Sequence, residues 1–166
     1  NYILQGSALH VIGGHSFEVT HGDIFIIPPY VPHSILPAPS QTGEGIICEF
    51  EFLPEFINAH FTDYDDARSF FDFAYIEPFL VTEAHVKPFL NLTGSLQLEV
   101  ERILDEAYSE YQNKNAGYGL VIKSLLLKLL VLVGRRYSEA IRADGSIYDR
   151  HSRAIHDVLR FVNEHY

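Results

Sequence analysis

Cysteine occurs once in these 166 residues, and methionine and tryptophan do not occur at all. A single thiol, Cys48, excludes an internal disulfide and suits a reducing compartment. It lies in an apolar run, where a packed thiol is expected rather than a reactive one. With no Met at its start and strand-like residues from the second position, the sequence is expected to be an excised portion of a longer protein. Basic charge is also scarce. Residues 1–90 carry 2 basic and 12 acidic side chains, whereas residues 91–139 carry 6 of each and residues 140–166 carry 4 of each. The net charge of −10 therefore belongs to the first half. Such a surface repels phosphate backbones and excludes a nucleic-acid face there. Long hydrophobic runs are missing as well. The most apolar one, Leu120 to Val133, is interrupted by Lys123, Ser124 and Lys128 and falls short of the roughly 20 residues that a membrane span needs. It reads as a buried helix. With no secretory signal visible, a cytoplasmic location and no membrane partner are expected.

What is present is apolar residue, at 47%, enough for a globular chain with a sizeable core. Residues 2–5, 8–12, 16–20, 23–27 and 46–52 read as strands. Gly6-Ser7, Gly13-Gly14 and His21-Gly22 separate them. Gly13-Gly14 supplies the positive φ of a tight hairpin turn. Short strands at this spacing predict a barrel or sandwich. Residues 34–45, with Pro37, Pro39, Gly43 and Gly45, read as a loop. In 46–52, Phe50 and Phe52 fall on one side and Glu49 and Glu51 on the other. Residues 53–93 are interrupted by Pro54, Pro78 and Pro88 and hold an aromatic cluster of Phe70, Phe71, Phe73, Tyr75 and Phe79. Its expected role is closure over one end of the barrel.

The period then changes. Leu96, Leu98, Val100, Ile103, Leu104, Ala107, Tyr108 and Tyr111 recur at helical spacing, with Gly94-Ser95 as the expected N-cap. A second helix is predicted over about 118–141, apolar on most of its circumference, so most of its faces require cover. The antiparallel hairpin of these helices is the candidate dimer surface, through Leu120, Ile122, Leu126, Leu129, Leu130 and Val133. Ala143 to Ser146 reads as a linker, and a third, amphipathic helix is predicted from Arg150 to about Glu164. The expected units are 1–93, 94–142 and 143–166.

One stretch carries a resemblance. Gly22, Pro28 and His33 stand at the spacing of the second cupin motif, in which Gly, five residues, Pro, one residue, Gly, two residues and His follow one another. Tyr30 stands where that family usually has Gly. Tyr2-Ile3-Leu4-Gln5-Gly6 resembles the close of the first cupin motif. A cupin-like jelly-roll barrel, a two-helix hairpin, a linker and a final helix together resemble the N-terminal part of AraC-type bacterial transcription regulators. The final stretch, Ile155 to Tyr166, looks like the first helix of their DNA-binding domain. The resemblance implies an α+β fold. It also implies a ligand-sensing and dimerising function, with a small effector, possibly a sugar, held in the barrel. Promoter DNA would be reached only through a further C-terminal domain.

In such a sensor the pocket is expected to be the barrel interior, with apolar walls and a few fixed polar groups. His33 is the first polar candidate and His10 the second. Tyr2 with Leu4, either Ile24 with Ile26 or Phe25 with Ile27, and Phe50 with Phe52 are the candidate walls. The face of the 23–27 strand stays open, because a slip of one residue inverts it. The rival reading is a metal-dependent cupin enzyme, which needs two or three imidazoles and a carboxylate converging on one ion. The chain offers His33 but no His-x-His pair and no nearby Glu in the first motif, whose usual ligands would lie upstream of Asn1. The long hydrophobic helices and the final helix, for which a barrel enzyme has no use, weigh against that reading, so no cofactor, metal or catalytic residue is expected.

Overall fold

A computed structural model describes residues 1–27, 31–39, 43–53 and 89–144. Among these, seven strands form two antiparallel sheets, and two helices follow.

The first sheet grows from the Gly13-Gly14 turn. Both glycines have positive φ, 56° and 80°, the backbone twist that joins adjacent antiparallel strands tightly. β2 (Ser7–Ile12) and β3 (His15–Thr20) pair across this turn from Ile12↔His15 to Ser7↔Thr20. On its other side β2 pairs with β5 (His33–Pro37), from Ile12↔His33 to Ala8↔Pro37. The sequence reading had placed 34–45 in a loop. The residues from Ser34 to Pro37 instead form an edge strand, and Pro37 sits at its end, where a missing N–H costs the ladder little. Ala8, His10 and Ile12 are the buried alternate positions of β2.

The second sheet has the order β6–β1–β4–β7. β1 is Tyr2–Gln5, β4 is Asp23–Ile24, β6 is Ile46–Cys48 and β7 is Leu90–Asn91. The assigned strand β4 stops at Ile24, although Phe25 still pairs with Asn1, its N–H donating to the Asn1 carbonyl and its carbonyl accepting from the Asn1 nitrogen. Tyr2 lies opposite both Ile24 and Cys48, and Ile24 lies opposite Leu90. These four side chains therefore share a face, and Ile3 and Phe25 take the other. Ile3 and Phe25 pack with Ala8 and Val19 of the first sheet. No ladder joins the two sheets among the described residues. The arrangement there is two packed antiparallel sheets, not a closed barrel.

Gly22 fixes the turn into β4. Its φ is +91°, its N–H donates to the Ile3 carbonyl and its carbonyl accepts from the Leu92 N–H. A Cβ at this position would stand 2.9 Å from the Leu92 carbonyl oxygen. Asp23, buried beside it, receives the Thr20 N–H at 2.7 Å and the Asn91 side-chain amide at 2.7 Å. The turn dipeptide thus binds β3, β4 and β7 into one corner.

Helix α1 (Gly94–Asn113) starts at Thr93, an extended N-cap one residue earlier than expected, and ends at Lys114 in the left-handed conformation. Val100, Ile103, Leu104 and Ala107 form its buried stripe. A short connection leads into α2 (Tyr118–Asp144), whose Leu125, Leu129, Val133 and Tyr137 meet that stripe. Tyr2, Ile24, Leu90 and Leu92 belong to the same apolar cluster. The hairpin therefore covers one face of the four-stranded sheet, and the three-stranded sheet covers the other. Each fully buried aliphatic or aromatic side chain in these layers contributes about 1.5–3 kcal/mol. The linker and final helix expected over 143–166, the aromatic cluster from Phe70 to Phe79, and Tyr30 lie outside the described residues, apart from the end of α2 at Asp144.

Candidate functional site

A cavity of about 760 Å³ lies where the sheet meets the hairpin. Register explains its walls. Tyr2, Ile24 and Cys48 share the hairpin-facing side, and strand alternation carries Ile26, Phe50 and Phe52 onto it. Leu104 from α1 and Leu126, Leu129, Leu130 and Val133 from α2 form the opposite wall. The cavity also reaches Phe25, Ile27 and Val31 beyond the end of β4, and His33 at the start of β5. The sequence reading had placed the pocket inside the barrel, between the two sheets. This cavity instead lies mainly between sheet and helices, and the inter-sheet space is occupied by Ile3, Ala8, Val19 and Phe25.

The polar groups on this cavity have definite roles. His33 is solvent-exposed and its Nδ1 lies 3.0 Å from the Val31 carbonyl oxygen. A carbonyl only accepts, so Nδ1 carries the hydrogen and Nε2 presents a lone pair. Glu49 and Glu51 alternate with Phe50 and Phe52 and are exposed at the edge of the cavity. The Oδ1 atom of Asn1 is buried without a hydrogen-bond partner among the described residues. Burial pushes the Cys48 thiol up, leaving it protonated and unreactive at neutral pH. The α-amino group of Asn1 is pushed down to about 6, chiefly by burial, with Glu49 opposing the shift.

Tyr2 connects the cavity to the hairpin. Its side chain is buried and its hydroxyl donates to Glu101 Oε1 on α1 at 2.7 Å. Gln97 donates to the same oxygen at 3.0 Å, and His21 Nε2 lies 2.9 Å from it. These donors hold the Glu101 carboxyl below its usual range, the Tyr2 hydroxyl first among them. Burial and the neighbouring carboxylate push the Tyr2 phenol up, so it stays a donor. A wall residue of the cavity is thus bonded directly to the helix that covers it.

The expected site residues divide accordingly. Tyr2, Phe25, Ile27, His33, Phe50 and Phe52 line the cavity. Leu4 does not and is 38% exposed. The pairing of β1 with β6 shifts between Ile3 and Gln5, and this bulge takes Leu4 off the face that Tyr2 begins. His10 does not line it either. It is fully buried between the sheets, stacked on Phe25 with ring centroids 4.3 Å apart, and neither ring nitrogen has a partner among the described residues. His15 and His21, expected at exposed turns, are exposed. Of the residues expected at a dimer surface, Leu126, Leu129, Leu130 and Val133 are buried within the chain and line the cavity. Ile122 is half-buried and Leu120 is 69% exposed. Sequence patterning found the apolar helix but could not tell which of its sides meets its own sheet. Strand register puts Ile24 and Ile26, the other alternative for that strand, on the hairpin-facing wall, and Cys48 and Leu104 complete it.

Among the described residues, no group of three or more His, Cys, Asp or Glu side chains gathers to hold a metal ion. None of the described helices is long and apolar enough to cross a membrane.

Two antiparallel sheets and a helical hairpin that covers one of them enclose the cavity. The family model of the AraC-like ligand binding domain matches residues 1–130, and the chain belongs to that family. No curated protein and no solved structure matches it.

Proposed function

We propose that this chain is the effector-sensing part of a bacterial transcription regulator and that the effector occupies the cavity between the four-stranded sheet and the hairpin. The observation that carries this reading is the composition of the walls. In a ligand-binding family, this cavity is lined by both the sheet and α2, and Tyr2 bonds the sheet to α1. A ligand there touches both bodies at once and biases their relative position, as a population shift between two states requires. Promoter DNA is reached through a DNA-binding domain outside this chain, and the regulator acts in the cytoplasm without catalysis. The resemblance that suggested a sugar says nothing of the wall chemistry. The walls here are mainly aliphatic and aromatic, with few polar groups.

Self-association belongs to the outward side of the hairpin. Leu98, Leu120, Val121 and Val131 are exposed there, whereas Leu126, Leu129, Leu130 and Val133 face inward. Leu120 and Val131 lie eleven residues apart, three helical turns, and so share one face of α2.

The test is a thermal-shift screen of small molecules against the chain and against Leu126→Trp, with Ile26→Trp as the second variant if the first does not fold. A binder of the native state raises Tm by mass action. Hits that a filled cavity abolishes support the reading. Hits that both folded variants retain refute it.

A further inference from the structure

His10 takes no part in the hydrogen bonding of the fold that surrounds it. It is fully buried on the inward side of β2, and neither Nδ1 nor Nε2 has a partner among the described residues. Its cross-strand neighbours are Phe17 on β3 and Ile35 on β5, and the Phe25 ring stacks on it at 4.3 Å. Burial keeps the imidazole neutral at pH 7.5, with a pKa of about 4, so it carries one N–H donor and one lone pair. Asp23, the other buried polar side chain among the described residues, shows the contrast: it accepts from the Thr20 N–H and the Asn91 amide. Folding loses by the desolvation of the two His10 nitrogens and gains no bond from them. Polar atoms left unmatched in a core are available to a partner from outside the chain.

Two residues that line the cavity flank this ring. Phe25 stacks on it, and His33 lies opposite Ile12, two residues along β2 from His10. The two imidazoles therefore share the inward face of the three-stranded sheet in neighbouring rows. We propose that His10 is the buried polar anchor of the effector site, and that the effector is an uncharged hydroxylated aromatic molecule whose ring replaces that of Phe25 against the imidazole. The inference rests on the cavity being the effector site. Displacement of the Phe25 side chain opens the cavity to His10, and an aromatic ring restores the stack that Phe25 gives up. A hydroxyl suits the imidazole in either tautomer, because it donates to the bare nitrogen and accepts from the protonated one. An ammonium only donates and a carboxylate only accepts, and either brings a charge into an apolar layer, which is costly. The rest of the ligand meets the carbon surface of Ile24, Ile26, Phe50 and Leu129.

The probes are 4-methylphenol and p-xylene, which match in shape and differ by one hydroxyl, with 4-methylbenzoate as the charged control. Each is titrated into the 166-residue chain at pH 7.5 and followed by calorimetry and by the ring-nitrogen NMR signals of histidine. The His10 signals are those that His10→Leu lacks. His10→Leu should weaken 4-methylphenol roughly tenfold and leave p-xylene within about twofold, as loss of one buried hydrogen bond gives. In the parent, 4-methylphenol should move the His10 nitrogen signals further than p-xylene does. An affinity for 4-methylphenol that folded His10→Leu leaves within about twofold overturns the anchor role, as do unmoved His10 signals at saturation. Tighter binding of 4-methylbenzoate than of 4-methylphenol overturns the ligand class, and so does no binding of 4-methylphenol at millimolar concentration. If circular dichroism shows that His10→Leu does not fold, His10→Phe, which keeps a ring against Phe25, takes its place. Leu126→Trp, or Ile26→Trp in its stead, separates this inference from the reading it rests on. Probe binding that the folded tryptophan variant abolishes and His10→Leu leaves unchanged keeps the cavity and sinks only the anchor. Probe binding that the tryptophan variant leaves intact overturns the cavity and the anchor together.

Discussion

His10 makes the stability of this domain sensitive to mild acid. The ring is fully buried and stacked on Phe25, with both nitrogens unpartnered among the described residues. Its pKa is lowered from 6.5 to about 4, first by burial and then by His33 and the α-amino group. The folded state therefore binds this proton less readily than the unfolded chain. Stability is fully present above the unfolded value near 6.5 and is lost as pH falls toward 4. The full shift gives about 2 kcal/mol lost between pH 7.5 and pH 5, and solvent screening near the exposed His33 trims this to about 1–2 kcal/mol. His10→Leu nearly conserves volume and has no proton to bind. It also removes two unsatisfied polar atoms, worth about 1–3 kcal/mol, against a stacking loss of about 0.5–1.5 kcal/mol. Urea unfolding of both proteins at pH 7.5, 6 and 5 checks the reasoning. His10→Leu should be at least as stable as the parent at pH 7.5, and the gap should widen by about 1–2 kcal/mol at pH 5. The comparison cancels the carboxylates that titrate in both proteins. Parallel pH profiles would refute the argument, as would a His10→Leu protein much less stable at neutral pH.

Further outcomes follow from the same geometry. Tyr2→Phe removes the hydroxyl from Glu101 and should cost about 1.5–3 kcal/mol in urea unfolding, because a charge-assisted bond is lost from a buried ring. Hydrogen exchange of α1 amides should rise with it; unchanged protection would contradict the role of Tyr2 as the link between sheet and hairpin. Gly22→Ala meets the Leu92 carbonyl at 2.9 Å with φ at +91° and should cost at least about 1–3 kcal/mol, read as a fall in the urea midpoint. Leu129→Ala opens the hairpin core and should cost about 2–5 kcal/mol. Leu120→Glu with Val131→Glu should leave Tm within a few degrees while shifting a dimer to monomer in sedimentation; an unchanged oligomeric state would refute the outward face as the interface.

The sequence by itself determined β1 to β4, β6 and the two helices, in their order, but neither β5 nor β7. Gly13-Gly14 specified a hairpin turn because tight turns need positive φ at both positions. Gly22-Asp23 marked the corner that the structure shows as the anchor of three strands. The helical spacing of Val100, Ile103, Leu104 and Ala107 identified the face of α1 that is buried. These signals are local: a turn, a period and a cap each reside in a few neighbouring residues. The family was legible too, from Gly22, Pro28 and His33 together with the hairpin behind them.

Tertiary structure decided everything that depends on which face meets which. Tyr2, Ile24 and Cys48 share a side because β1 pairs with both β4 and β6, and no single strand records that register. A one-residue bulge removed Leu4 from the wall. β5 became visible as a strand only through its pairing with β2, because Pro37 at its end and Pro39, Gly43 and Gly45 just beyond it read as a loop. α2 is apolar nearly all round, so its pattern could not say which side is covered by its own chain. Docking against α1 and the sheet turned Leu126, Leu129, Leu130 and Val133 inward and left Leu120 and Val131 outside. The same docking created the cavity. Sequence supplies the side chains of such a site, but the site exists only where two long-range packings leave space between them.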